Sequence, residues 1–207
     1  MQANVSATRM EMLRLRRKVE LAERGHKLLS QKRDELSRQL VQISRGIAPL
    51  RREVEKALNN TSRRFMLARA SMEPEDVAAA LEVPVKKFNL AVQFASVMNV
   101  KVPSLEKKLE GDVICYGYAK TSPELDAALY SLEKVFDMII ELAEKEKQAY
   151  LLATDLQKTR RRVNVLEHVV IPETKDTIKY IASRLSENER DNTSRLMIIA
   201  DIIRGDQ

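Results

Sequence analysis

Residues 12–57, MLRLRRKVELAERGHKLLSQKRDELSRQLVQISRGIAPLRREVEKA, decide the fold of this chain. Positions 12, 15, 19, 22, 26, 29, 33, 36, 40, 43, 47, 50, 54 and 57 step by three and four without a break. They carry Met, Leu, Val, Ala, His, Leu, Arg, Leu, Leu, Ile, Ile, Leu, Val and Ala, so only His26 and Arg33 interrupt an apolar seam. A repeat of 3.5 residues predicts a helix that buries its seam against another helix in a left-handed supercoil. Gly25 and Gly46 each cost up to about 1 kcal/mol in a helix interior. Pro49 clashes with the Arg45 carbonyl. The phase survives all three, which predicts a bend near Pro49 rather than an end. Ser6 or Thr8 can cap the start.

The partner lies further along the same chain. Thr121 and Glu124 have capping-box spacing and Pro123 suits a first turn, so a second long helix is expected from there. Its seam reads Leu125, Ala128, Leu132, Val135, Ile139, Leu142, Glu146, Ala149, Ala153, Leu156, Arg160 and Val163. The pattern shifts phase near Pro172, where a bend is expected, and resumes at Ile178, Ile181, Leu185, Leu196, Ile199 and Ile203. The spacings predict a mainly α fold, a long antiparallel two-helix coiled-coil hairpin whose shared arm measures roughly 90 Å. Setting Leu15 against Leu196 gives paired positions that sum to about 211, with Arg51 near Arg160 and Glu53 near Lys158.

Between the helices the period changes. After polar Asn59–Ser62 a helical pattern resumes at Phe65, and a short helix follows from Pro74 to Leu81, closed by Pro84. Phe88, Leu90, Val92 and Phe94 alternate with Asn89, Ala91 and Gln93, and Val100–Pro103 continues in the same manner. A polar stretch, Ser104–Asp112, separates this from Val113–Tyr116. A small central β-hairpin is expected, which must pack on the helices or a partner because two strands alone are marginal in water. The boundaries read as 1–72 for the first coiled-coil helix, 73–120 for the head and 121–207 for the second helix.

Composition agrees with long helices. Aromatics are 4%, Trp is absent, charged residues are 32%, and Gly and Pro number only five and six, which fits poorly with a compact α/β domain. The net charge of +6 is unevenly spread: residues 1–70 hold 17 basic against 7 acidic side chains, residues 71–122 hold 6 against 7, and residues 123–207 hold 13 against 16. A basic helix facing a mildly acidic one explains this, and so does attraction to an acidic partner or to phosphates. A lone cysteine, Cys115, excludes an intrachain disulfide and favours a reducing compartment. With no signal-peptide core and no apolar run of membrane-spanning length, the chain reads as soluble and intracellular, compatible with a place in a membrane-bound assembly.

Catalytic signatures are absent. The five glycines, at 25, 46, 111, 117 and 205, cannot form a phosphate loop. His26 and His168 lack ligand partners at metal spacing, and Cys115 reads as structural. No catalytic residue, cofactor or metal is expected. Two charged clusters stand out instead. Lys158-Thr159-Arg160-Arg161-Arg162 packs four cations into five residues, so that one must face the seam. Glu187-Asn188-Glu189-Arg190, with Arg195, replaces apolar side chains near the C-terminal end.

Several stretches, in order along nearly the whole chain, resemble one family. Thr8-Arg9-Met10-Glu11, Arg24-Gly25-His26-Lys27-Leu28-Leu29 and Lys32-Arg33-Asp34-Glu35-Leu36 are similar to the N-terminal signature of the D subunit of the V-type and archaeal A-type ATPases. Residues Lys158–Glu167, then Ile171-Pro172, resemble its C-terminal signature, and Glu187–Arg190 and Tyr116-Gly117-Tyr118 also fit. Ala7 stands where a proline commonly precedes the threonine, and Met197 where a basic residue is common. The resemblance implies a central rotor shaft with no active site of its own. Its coiled-coil tip would insert into a hexamer of catalytic and regulatory nucleotide-binding subunits. Its middle would lie near the small F subunit of the stalk and the funnel-shaped subunit above the membrane ring. By this resemblance Thr8, Arg9, Met10, Arg190 and Arg195 contact the hexamer near the tip, and Arg160, Arg161 and Arg162 form a girdle lower down. The implied setting is cytoplasmic and peripheral to the membrane, with neither nucleic-acid binding nor insertion. A basic coiled coil that binds nucleic acid or tethers vesicles is the competing reading, motivated by the charge of the first helix.

Overall fold

A computed structural model describes residues 6–82, 85–117 and 119–205. The expected closing role of Pro84 and the Tyr118 of the Tyr-Gly-Tyr stretch lie outside these residues. The elements run α1 (Arg9–Ser71), α2 (Pro74–Leu81), β1 (Lys87–Val97), β2 (Val100–Glu110), α3 (Pro123–Val165), a π-helical turn (Leu166–Val170) and α4 (Ile171–Gly205). A long helix at each end and a two-stranded antiparallel hairpin between them give the mainly α hairpin fold that the spacings predict. Two compact units form, one from residues 1–34 with 157–207 and one from residues 35–156.

All fourteen seam positions of α1 are buried or half-buried. Val19, Leu36 and Val54 are buried outright. The helix passes through Gly25, Gly46 and Pro49 without ending, as the unbroken phase requires. It also passes through Asn59–Ser62, where the polar run predicts an interruption. Thr61 explains why: its hydroxyl donates to the Ala57 carbonyl at 3.0 Å and lies 3.1 Å from Ser131 Oγ, so a polar residue occupies the seam with its bonds satisfied. The buried stripe then continues to Ala68.

In the first unit, the start of α1 runs antiparallel to α4. Arg9 pairs with Glu189, Glu23 with Lys175 at 2.7 Å, and His26 Nε2 lies 3.5 Å from Glu167. The first two pairs each sum to 198, not 211. In the second unit Arg51 meets Glu146 at 2.5 Å, instead of approaching Arg160. That hydrogen bond, then the carboxylate charge, raises the Arg51 pKa above its ordinary value. The difference of thirteen is close to two heptads, a slip that a 3.5-residue repeat scarcely penalises.

The expected phase shift near Pro172 has a structural cause. The Ile171 N–H donates to the Leu166 carbonyl, five residues back, and closes a π turn over Leu166–Val170. An extra residue in the turn gives room to a proline ring that a regular turn would press against the His168 carbonyl. It also sets the spacing of the buried stripe, which steps eleven residues from Val163 to Thr174 and then seven to Ile181.

In the second unit, Ala68 of α1, Ala80 of α2 and Leu125 of α3 form a small core. Phe65, Met72, Tyr116 and Leu129 pack around it. Pro74 occupies the first turn of α2 as expected. The start of α3 differs from expectation. Ser122, not Thr121, caps it, its hydroxyl accepting from Glu124 N–H at 3.3 Å, while Thr121 donates to the Gly117 carbonyl at 3.2 Å.

The hairpin also differs in extent. Its second strand includes Ser104–Glu110, which the sequence presents as a separator, whereas Val113–Tyr116 is not a strand. Met98 and Asn99 form the two-residue turn, both with positive φ (52° and 66°). This left-handed conformation at both central residues is what a tight hairpin needs, here reached without glycine. The ribbon rests on α3. Phe88 meets Phe136 edge-on with centroids 4.8 Å apart, Lys107 pairs with Asp137 at 2.5 Å, and Lys86 pairs with Glu133. After β2 the chain turns at Gly111, whose φ is +97° and whose missing Cβ would stand 2.8 Å from the Val85 carbonyl oxygen.

Candidate partner interface

The charged residues singled out in the sequence all belong to the first unit. Thr8 is the N-cap of α1. Its Oγ1 accepts from Glu11 N–H at 3.2 Å and its carbonyl accepts from Met12 N–H at 3.1 Å. The Thr8 hydroxyl therefore serves the helix end. Arg9 pairs with Glu189, both side chains exposed, which ties the start of α1 to α4. Met10 projects into solvent at 78% exposure. Arg190 and Arg195 are exposed, and among the described residues none lies within ion-pairing distance of either.

Arg160, Arg161 and Arg162 are likewise all exposed. The expectation that one of them faces the seam is wrong. Thr159 and Val163 are the buried residues of this turn, at 3% and 0% exposure. They lie four apart on one face, so Arg160–Arg162 fill the remaining arc of the helix. A short threonine fits a close helix–helix contact that an arginine would not. Among the described residues no carboxylate pairs with the triplet, which leaves three adjacent cations pointing outward. Such an array attracts a surface rich in carboxylates, and exposure keeps each contact weak and reversible.

One candidate region escapes a functional reading of the sequence. The spacing assigns Leu196, Ile199 and Ile203 to the seam, yet all three are exposed, together with Met197, Ile198 and Ile202. α1 begins at Arg9, which pairs with Glu189, while α4 continues to Gly205. Every described side chain from Ser186 to Ile203 is exposed. The signal is present in the sequence: Met197, Ile198 and Ile202 put apolar groups outside any single stripe, and a helix apolar on most sides needs covering on most sides.

Among the described residues no group of three or more His, Cys, Asp or Glu side chains could hold a metal, and no helix is long and apolar enough to cross a membrane.

Comparison with known proteins gives a consistent result. The sequence profile of the ATP synthase D subunit matches residues 11–201. The chain is 45% identical over 203 residues to a V-type ATP synthase D subunit from Acetivibrio thermocellus, covering 96% of this chain and 91% of that one. It is 45% identical to the protein of the same name from Clostridioides difficile, covering 97% and 91%. It is 42% identical over 209 residues to that from Clostridium novyi, covering 99% and 97%.

Proposed function

The chain belongs to the ATP synthase D-subunit family, and from that membership we propose that it is the central stalk of a V-type or A-type rotary ATPase. It carries torque between a nucleotide-hydrolysing or -synthesising head and an ion-translocating membrane ring. It has no catalytic role of its own and works as a cytoplasmic component of a membrane-associated complex. The observation that carries this reading is the antiparallel pairing at Arg9–Glu189 and Glu23–Lys175, which lays the start of α1 along α4. A paired-helix arm of this kind is stiff along its axis, which suits a part that must turn inside a ring.

In this reading the exposed apolar end of α4 sits within the axial opening of the head hexamer, where the surrounding subunits cover it. Met10, Arg9, Arg190 and Arg195 meet the hexamer near that end, with Thr8 holding the helix start in place. Arg160, Arg161 and Arg162 meet acidic loops of the catalytic or regulatory subunits. Residues 73–120 face the small F subunit of the stalk and the funnel-shaped subunit above the ring. Nothing observed favours the nucleic-acid reading.

The test is reconstitution with the purified nucleotide-binding hexamer. One copy should bind per hexamer and change its ATP turnover. A hexamer that neither retains the chain nor alters its turnover on adding it would sink the proposal.

A further inference from the structure

The outer edges of the two-stranded ribbon are treated very differently. β2 uses its outer edge on α3: the Leu105 N–H donates to Glu144 Oε2 at 3.1 Å, and Gln148 Nε2 donates to the Pro103 carbonyl at 3.4 Å. These bonds show that the backbone groups of positions 103 and 105 point away from β1. The two-residue turn closing Val97 onto Val100 sets the same alternation. Cross-strand partners at such positions also point away from each other. The partners of Leu109, Lys107, Leu105 and Pro103 are Phe88, Leu90, Val92 and Phe94, so these four direct their N–H and C=O groups off the far edge of β1. Among the described residues nothing hydrogen-bonds them.

Natural sheets blunt an open edge with charge, proline, a bulge or brevity. From Phe88 to Val97, β1 has none of these. It is eleven residues long, pairs without a bulge, and carries no charge or proline from Phe88 to Val97. β2, already covered by α3, holds Pro103, Lys101, Glu106, Lys107, Lys108 and Glu110. The protective residues are thus on the strand that does not need them. The open edge also presents Leu90, Val92 and Phe94 at 44%, 48% and 70% exposure, at the same positions as the free backbone groups.

We propose that β1 is a strand-addition site, at which an extended segment of another stalk or membrane-ring subunit pairs with Phe88–Phe94 and makes the ribbon a three-stranded sheet. This inference rests on the central-stalk reading. Charge defines the occupant. Lys87 faces Glu110 across the ribbon, Lys107 is taken by Asp137, and Lys86 by Glu133. The edge from 88 to 97 is therefore neutral, and a charged strand would be desolvated without a counter-ion. The fitting segment is uncharged over about seven residues, roughly 24 Å of strand. Its apolar side chains alternate so as to extend the Leu90–Val92–Phe94 face, with small or amide side chains beside Ala91 and Gln93. Backbone pairing supplies the adhesion and the alternate side chains supply the specificity. A second copy of this chain could satisfy the same edge, but a single axle per hexamer leaves no second copy to pair with.

Hydrogen exchange of the full chain, alone and in the assembled rotary complex, tests this. The outward amides of Leu90, Val92 and Phe94 should exchange freely in the isolated chain and slow by ~10-fold or more on assembly. The inward amides of Ala91 and Gln93, already bonded to β2, should change little. Val92→Pro removes one outward N–H without touching the ladder, as Pro103 does on β2, and should abolish the added protection at Leu90 and Phe94. Val92→Thr should keep it. Equal exchange of the outward amides in the free and assembled chain would overturn the proposal while leaving the stalk reading intact. Protection that already appears in the isolated chain and grows with its concentration would assign the edge to a second copy and overturn it too. Failure of the chain to enter any rotary complex would overturn both readings together.

Discussion

Replacing Arg160, Arg161 and Arg162 by Gln separates surface from seam within a single helical turn. All three side chains are exposed, and Thr159 and Val163 beside them are buried. Exposed substitutions away from special features usually stay within about 0.5 kcal/mol each, and glutamine is nearly as good a helix former as arginine. The triple variant should therefore keep its helical circular dichroism and its urea midpoint. It removes three of the six net positive charges. If each arginine makes one exposed ion pair worth about 0.2–1 kcal/mol with an acidic loop, hexamer binding weakens by roughly threefold to a hundredfold. That deficit should shrink as salt rises, since salt screens the wild-type contacts and leaves the variant little to lose. Val163→Ala, one residue away, should do the opposite. It deletes two buried carbons and leaves a cavity, costing about 2–3 kcal/mol of stability at unchanged charge. Titrating the hexamer with each variant by fluorescence anisotropy at low and high salt, beside urea unfolding, reads both effects. A triple variant that loses helix content, or whose binding deficit ignores salt, would refute the assignment of these arginines to a partner surface.

Other perturbations act on stability. Gly46→Ala should raise the stability measured by urea unfolding by up to about 1 kcal/mol, because an added methyl meets nothing within 4 Å; a lower midpoint would mean that the glycine has a packing role. Gly111→Ala should cost about 1–3 kcal/mol, since its φ of +97° and the Val85 carbonyl 2.8 Å away both oppose a Cβ; an unchanged thermal midpoint would contradict this. Leu125→Ala should cost about 3 kcal/mol, because Leu125 is fully buried among Ala68 and Ala80 where three helices meet. Hydrogen exchange should then rise first in α2, and uniform loss across the chain would argue against a separate core there.

Much of the fold is legible because a 3.5-residue repeat reports burial directly. Every expected position of the α1 seam is covered, including the two imperfections, His26 and Arg33. Register is not legible for the same reason, since a pattern that repeats every seven residues looks alike after a slip of one or two heptads. Periodicity misplaces Arg160 by one residue because the sequence shows apolar character and not fit: Thr159 is the smaller side chain, and the close contact selects it. The second strand hides because the exposed ribbon face demands polar residues at Glu106 and Lys108, which read as a loop. Its turn hides because Met98 and Asn99 reach positive φ without glycine. Of the candidate interface, the cationic triplet is visible as composition. The exposure of Leu196–Ile203 depends on register and so follows its error.

The seam of the first unit buries Val19, Thr159, Val163, Thr174 and Ile181, each a single tooth between two helices. A layer in such a pair touches only the layers directly above and below it, so cooperativity runs along one dimension, as in a stacked repeat. Damage at one tooth should stay near that tooth, and opening should begin at the ends and travel inward like a zip. A rod built this way yields locally under load and recloses from the intact turns beside the break. A single compact core of the same size has no such neighbours to reclose from.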